Sequence, residues 1–211
     1  MNKTFYILGA GGFAREVYSY LRENRFKIDG FSCAGFLDDN PQALDDFFLE
    51  HSIVNGLFTK ELPKCSKLVM AIANPSLKEK LYKFYKNLGH EFITYVHDSA
   101  FVGESVVLGE GTIVSPQSVI TANVSIGNCN TINVLSTIGH DAKIGDFCTL
   151  SGHCDITGFV ELGSKVFVGS SAAVIPKVKV GNDAVIGAGS VVISKVKPGL
   201  TVFGNPAKKI K

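Results

Sequence analysis

The 211-residue chain lacks most of the features by which a sequence declares its partner. Charge of one sign is not in excess: 21 Lys plus Arg stand against 19 Asp plus Glu, a net +2, too even for the electrostatic footprint of a nucleic-acid or anionic-membrane binder. No apolar run approaches the ~18 residues of a membrane span, so no membrane insertion is expected. The stretch from Phe5 to Ala14 is a poor secretion signal, because glycines interrupt it and Arg15 with Glu16 cut it short. The five cysteines, Cys33, Cys65, Cys129, Cys148 and Cys154, are odd in number and contain no CxxC pair, which speaks against a zinc site and against a disulfide framework. No His/Cys/carboxylate cluster has ligand spacing, so no metal is expected. The chain reads as soluble, unprocessed and cytoplasmic. With 45% hydrophobic and 19% charged residues it has the composition of one or two globular domains, and its partner must be recognised by a built site.

What is present is a repeat of six. From Val102 through Leu108, Val114 and Ile120 to Val192, every sixth residue is aliphatic, sixteen in a row, and Val96 extends the series. The residue four further on is small (Thr112, Ser118, Asn130, Cys148, Cys154, Ala184), which assigns Cys148 and Cys154 to an interior. The residue just after the aliphatic is often Gly, as in Gly103, Gly109, Gly139 and Gly181, where a sharp corner would use a permissive backbone. One short strand and one turn per six residues make one side of a triangular coil, so 18 residues complete a turn of a parallel β-helix.

Stacking at that interval sorts the outward residues into columns. Val107, Ser125, Lys143, Glu161, Lys179 and Lys197 form a charged one; Ile113, Thr131, Thr149, Phe167 and Val185 form an uncharged one, expected to face another subunit.

The first ninety or so residues follow a different pattern. Thr4 to Leu8, Cys33 to Leu37, Ile53 to Leu57 and Leu68 to Ala73 read as strands. Phe13 to Arg25 and Ser76 to Leu88 read as helices, the second capped by Ser76, giving a small α/β domain with a parallel sheet. The expected division is residues 1–95, 96–197 for the β-helix, and 198–211 as a C-terminal cap.

Two constellations carry chemistry. Gly9, Gly11 and Ala14 satisfy G-x-G-x-x-G/A between a strand and a helix, a turn whose amides can approach a phosphate. A nicotinamide dinucleotide would need an acidic residue at the end of the second strand. Asp29 precedes that strand, Asp38 and Asp39 close it, and the domain is short, so a mononucleotide-type ligand fits better; a turn serving packing alone is the third reading. In the repeat, His140 and Asp141 share a corner, with Ala122 one coil before and Gly158 one coil after. A histidine at a turn can be mere surface. The adjacent carboxylate and the small neighbours favour an accessible base. His153 lies at another corner.

These stretches resemble a family. Leu8-Gly9-Ala10-Gly11-Gly12, Gly35-Phe36-Leu37-Asp38-Asp39, Ala71-Ile72-Ala73-Asn74, Asn133 through His140-Asp141, and Val202-Phe203-Gly204-Asn205-Pro206-Ala207-Lys208 are similar to bacterial nucleotide-sugar acetyltransferases, in which a Rossmann-like domain precedes a left-handed β-helix of hexapeptide repeats, and to related sialic acid O-acetyltransferases. The resemblance implies transfer of an acetyl group from acetyl-CoA to a nucleotide-linked amino sugar, or alternatively to a sialic acid hydroxyl. It implies a catalytic set of His140, as base, with Asp141 and Asn133. It places the nucleotide sugar at Gly11, Gly12, Phe13, Asp38, Asp39 and Ala73, and the coenzyme at Thr149, Gly158, Ser170 and Ala188. It also implies a homotrimer with active sites between subunits. At Phe13, Ala73 and Thr149 the chain departs from residues seen in some members. A non-catalytic scaffold with a nucleotide sensor is the remaining alternative.

Overall fold

A computed structural model describes residues 3–22 and 25–210. The chain divides into two compact units, Met1–Ile93 and Thr94–Lys211.

The first unit is built on β1 (Thr4–Leu8), α1 (Gly12–Leu21), β2 (Lys27–Ile28), β3 (Phe31–Leu37), β4 (Ile53–Asn55), β5 (Lys67–Met70), α2 (Pro75–Asn87) and β6 (Glu91–Phe92). The sheet order is β2-β3-β1-β5-β6, with β4 on β3, and every pair is parallel except β2 with β3. Central strands of such a sheet are apolar on both faces, and Phe5, Ile7, Leu8, Phe36, Leu37, Leu68 and Val69 are fully buried.

The local expectations needed correction in four places. The first helix stops at Leu21 instead of reaching Arg25, because Phe26 turns back: its N–H donates to the Leu21 carbonyl at 2.8 Å, Arg25 and Phe26 are left-handed, and the Phe26 ring stacks on Tyr18 at 4.5 Å. Asp29 and Gly30 are the two central residues of a hairpin joining β2 to β3, both at positive φ (48° and 78°), which is the twist-compatible turn for two antiparallel strands. The second helix is capped by Asn74, not Ser76: Asn74 Oδ1 accepts the Leu77 N–H at 3.0 Å and Pro75, with no N–H to satisfy, opens the helix. The strands expected at Ile53 to Leu57 and Leu68 to Ala73 end earlier, at Asn55 and Met70, while β3 begins two residues before Cys33.

The second unit is a solenoid of three parallel sheets in which each strand pairs with the one three earlier and three later. Face one carries Ile113, Thr131, Thr149, Phe167 and Val185; face two Val119, Thr137, Asp155, Ala173 and Val191; face three Ser125, Lys143, Glu161 and Lys179. The register is 18 residues throughout these stacks. The repeating aliphatics fill the interior, with Val114, Ile120, Ile138, Leu150, Ile156, Val168 and Val174 at zero exposure. The small inner residues satisfy the carbonyls of the next coil: Ser118 and Ser136 hydroxyls donate to Asn133 and Ser151, and the Cys148 and Cys154 thiols to Gly163 and Gly169. Burial pushes the Cys154 thiol up to about 11.

The corner geometry differs from the expectation. The left-handed residue is the third after each aliphatic (Asn123, Asp141, His153, Phe159, Lys177), and the glycine immediately after the aliphatic is not left-handed. That glycine is required by space: a Cβ on Gly139 would stand 2.5 Å from Gly158 N, and one on Gly109 would stand 2.4 Å from the Gly127 carbonyl.

Three further corrections concern the columns and the end of the repeat. Val185 pairs with Thr201 and Val180 with Val196, a step of 16, so Lys195 and not Lys197 follows Lys179. The segment expected as a cap over 198–211 continues face one at Thr201–Phe203, and Lys208–Lys209 closes that edge antiparallel. In the uncharged column Ile113, Thr131 and Thr149 are already buried in the single chain (0%, 2% and 4% exposed), so only Phe167 and Val185 remain for a neighbour.

Candidate active site

At the corner between faces two and three, the second residue after each aliphatic forms the stack Ala122, His140, Gly158, Pro176. The third residues, Asn123, Asp141, Phe159 and Lys177, run beside it. Backbone bonds fix the step, since Asp141 donates to the Ala122 carbonyl, Phe159 to His140 and Lys177 to Gly158. Being second on a corner turns the His140 side chain outward, and it is 59% exposed. Its Nδ1 lies 2.8 Å from Asp141 Oδ2. The ring covers Gly158, where a Cβ would meet Nε2 at 2.8 Å, and the Phe159 ring stands edge-on to it at 5.1 Å. With Nδ1–H given to the carboxylate, Nε2 is the nitrogen with a free lone pair.

The amides of the three corners are treated differently. Between faces three and one, side chains cap them in a ladder: Glu110 N–H donates to Asn128, Asn128 to Asp146, Asp146 to Ser164, and Ser164 to Asn182. At the other two corners the amides of Ala122, His140, Gly158, Gly152, Ser170 and Ala188 make no hydrogen bond. Ser170 and Ala188 are exposed, whereas Gly158 lies buried beneath the imidazole. Thr157 and Phe159, on either side of Gly158, spend their N–H groups on Val174 and His140 carbonyls. An amide with no acceptor of its own is what a ligand's carbonyl or phosphate oxygen requires, so these corners can supply one and the laddered corner cannot.

The expected site residues are therefore distributed. His140, Asp141 and Gly158 come together. Ser170 and Ala188 lie at the corner between faces one and two, separated from His140 by face two, and Thr149 is buried on face one. Asn133 sits one corner before His140, and its Oδ1 accepts the Val134 N–H at 2.8 Å, a corner-holding bond. His153, exposed and left-handed, lies at that same corner one coil on.

In the first unit, β1 lies between β3 and β5, so the strand order reverses beside β1, and the carboxyl ends of strands at such a reversal are where parallel α/β sheets generally take ligands. Gly11, Gly12, Asp38, Asp39 and Ala73 all follow the ends of β1, β3 and β5. A Cβ on Gly11 or Gly12 would meet nothing within 4 Å, and the amides of Gly12, Phe13 and Ala14 at the start of α1 have no acceptor. Asp38 ties the loops, accepting Ala10 N–H at 2.7 Å on Oδ2 and Asn40 N–H at 2.9 Å on Oδ1, and Asp39 accepts Leu57 N–H at 2.8 Å. Asp29 stands at the opposite end of β3, which removes it as a ribose ligand. Arg15 was not singled out from sequence. Its guanidinium donates to the Ala10 carbonyl at 3.3 Å and lies 3.8 Å over the Phe47 ring, putting a cation beside the glycine turn.

Residues 4–85 match the PglD N-terminal domain family and residues 159–194 the bacterial transferase hexapeptide (six repeats) family. A histidine-to-asparagine mutant of perosamine N-acetyltransferase from Caulobacter crescentus, solved with CoA and GDP-perosamine, is 31% identical, covers 99% of this chain and 97% of its own, and superposes with a TM-score of 0.88. The chain belongs to this acetyltransferase family. WeeI from Acinetobacter baumannii is 26% identical over 99% of this chain and all of its own, with a TM-score of 0.87. The acetyltransferase domain of PglB from Neisseria gonorrhoeae, 24% identical over the full length of both, shares the fold with a TM-score of 0.89. None of the curated protein sequences matches. Among the described residues this acetyltransferase has no group of three His, Cys, Asp or Glu able to hold a metal, and no helix long and apolar enough to cross a membrane. The signal for its open corners was present in the sequence: Asn128, Asp146, Ser164 and Asn182 recur at 18 residues on one corner and have no counterpart at His140 or Ser170.

Proposed function

We propose that the chain is an acetyl-CoA-dependent N-acetyltransferase acting on a nucleotide-linked amino sugar, with His140 as general base. The observation that carries this reading is the exposed imidazole held to Asp141 at 2.8 Å and laid over Gly158, at the corner where the amides of Ala122, His140 and Gly158 are uncapped. The sugar amine attacks the thioester carbonyl, the C–N bond forms and the C–S bond breaks. His140 Nε2 takes the proton released from nitrogen and returns it to the departing thiolate. Asp141 holds the ring in the tautomer that leaves Nε2 basic and favours the imidazolium once formed. The Gly158 amide, the unpartnered donor beside the ring, receives the carbonyl oxygen. No cysteine is needed, since Cys148 and Cys154 are interior.

The first unit holds the nucleotide, with its diphosphate on the uncapped amides of Gly12, Phe13 and Ala14 and Asp39 and Ala73 alongside. The exposed amides of Ser170 and Ala188 fit the amide and phosphate oxygens of the coenzyme. In one chain they are a full face away from His140, which supports a homotrimer whose active sites lie between subunits, in the cytoplasm where acetyl-CoA and nucleotide sugars are made. Following free thiol while nucleotide-linked amino sugars and free sialic acid are offered with acetyl-CoA tests the reading. CoA release that requires the nucleotide-linked amine and disappears in His140→Ala is expected; release only with sialic acid, or undiminished turnover by His140→Ala, overturns it.

A further inference from the structure

The near-even total charge hides an uneven distribution. Residues 184–211 carry five lysines, Lys195, Lys197, Lys208, Lys209 and Lys211, and no Asp or Glu, so the rest of the chain holds 16 Lys plus Arg against all 19 Asp plus Glu. That segment is the last coil of the solenoid. Lys195, Lys197, Lys208 and Lys209 are exposed, and among the described residues none of the four has an ion-pair partner. The last two carboxylates before the segment are already engaged, Glu161 by Lys179 at 2.8 Å and Asp183 by Lys165 at 3.0 Å.

The aliphatic interior also ends here. Face one finishes beside the antiparallel Lys208–Lys209, and face two beside Gly204 and Ala207, which exchange backbone bonds with Val191. On face three Val196 is the last residue to pair, and among the described residues no strand covers it. At this end lies a cavity of about 320 Å³, where the final aliphatic rung, Val192, Val196 and Val202, meets the side chains of Lys195, Lys197 and Lys209. Lys209 is brought there by its register with the inward Val202. Ile193 and Ile210, close to these lysines in the chain, are 50% and 65% exposed.

We propose that this end of the solenoid docks on the surface of an anionic lipid bilayer, with Lys195, Lys197 and Lys209 on lipid phosphates and Ile193 and Ile210 in the headgroup layer. The charge selects an anionic partner, and the apolar groups select a lipid one. A polynucleotide or a free phosphate would satisfy the ammonium groups but leave the valine rung and the two isoleucines against water. A bilayer interface takes both at once, phosphates for ammonium groups carried on apolar stems and the acyl boundary for the aliphatics. The contact is with the surface, since among the described residues no helix is long and apolar enough to cross a membrane. It adds a location to the acetyltransferase reading without depending on it, because vesicle binding needs neither substrate.

Co-sedimentation of the full-length protein with large vesicles tests this. Binding is expected to vesicles of equal parts phosphatidylcholine and phosphatidylglycerol and not to phosphatidylcholine alone. It should be lost on raising salt from about 0.1 M to about 1 M, where the screening length falls from roughly 10 Å to roughly 3 Å. A lysine near such a surface strengthens binding about fivefold, so Lys195→Gln, Lys197→Gln and Lys209→Gln together are expected to weaken it roughly a hundredfold. Ile193→Ser with Ile210→Ser keeps every charge and is expected to weaken it about tenfold. The thermal midpoint should stay near the wild-type value in both variants, since all five side chains are exposed. If a midpoint falls, the salt and headgroup dependence of the wild-type protein decides, which needs no substitution. Wild-type protein that stays in the supernatant with phosphatidylglycerol vesicles overturns the proposal, as does a lysine variant that binds them undiminished. An isoleucine variant that binds as the wild type does would make the end a surface for any polyanion. A raised KM for acetyl-CoA in the lysine variant, with vesicle binding intact, would give these cations to the coenzyme instead.

Discussion

Asp141 holds its neighbour His140 from a left-handed backbone, Oδ2 to Nδ1 at 2.8 Å and φ 60°. Adjacent residues seldom hydrogen-bond side chain to side chain along a strand, where they point to opposite faces. The left-handed step at the corner folds the carboxylate back beside the ring. Asp141→Asn keeps the size and the tolerance of positive φ but removes the charge that favours imidazolium. It is expected to lower kcat by roughly 10- to 100-fold with little change in either KM, less than the loss of about 100-fold or more for His140→Ala. Single-turnover acetyl transfer checks both.

Gly158 supplies the floor for the imidazole. A methyl group there would stand 2.8 Å from Nε2 and 2.9 Å from Cε1, so the ring must move. Gly158→Ala is expected to reduce kcat by about 100-fold, the scale of a misplacement near 1 Å. The thermal midpoint should stay near the wild-type value, because the displaced group is an exposed side chain. A large drop in the midpoint would mean that the corner itself had rearranged.

The open amide of Ser170 can be removed without disturbing the corner. Pro116 occupies the same place in an earlier coil, so the backbone there accommodates proline. Ser170→Pro deletes one N–H and is expected to raise KM for acetyl-CoA roughly fivefold, about 1 kcal/mol for one hydrogen bond, with the acceptor KM unchanged. The corresponding change on the laddered corner, Asp146→Pro, breaks bonds to Asn128 and Ser164 and should lower the thermal midpoint instead.

Thiol chemistry separates the cysteines. Cys33, Cys129, Cys148 and Cys154 are buried and Cys65 is exposed; burial raises Cys33 and Cys154 to about 11, so both stay protonated at neutral pH. Titration of the native protein with an aromatic disulfide should count one fast thiol, and five after unfolding. Alkylated Cys65 should leave acetyl transfer intact; inactivation by alkylation would place a cysteine in the reaction.

The two units differ in how much of them sequence alone conveys. In the solenoid each coil meets only the next, so a spacing of six determines which side chains turn inward and a spacing of 18 determines which residues stack. The juxtaposition of His140 with Asp141 and Gly158 follows from that arithmetic. So does the uncapped state of its corner, readable from where Asn128, Asp146 and Asn182 recur. In the α/β unit the pairing partners are distant in sequence, and local rules misplaced the end of α1 and the cap of α2 and left out β2 with its turn at Asp29. There the decisive interactions were the packing of Phe26 on Tyr18 and the hairpin at Asp29-Gly30.

The amino-acid sequence by itself determined a coil of stacked rungs, an interior of aliphatic and small residues, and a histidine turned outward beside a carboxylate, because periodicity and adjacency are properties of a linear string. Only the tertiary structure decided that Asn133 works for its own corner, that Ile113, Thr131 and Thr149 are already covered, that the last coil is two residues short, and that Phe159 stands against the imidazole. These depend on where side chains point and on what else fills the space around them, and a linear pattern carries neither.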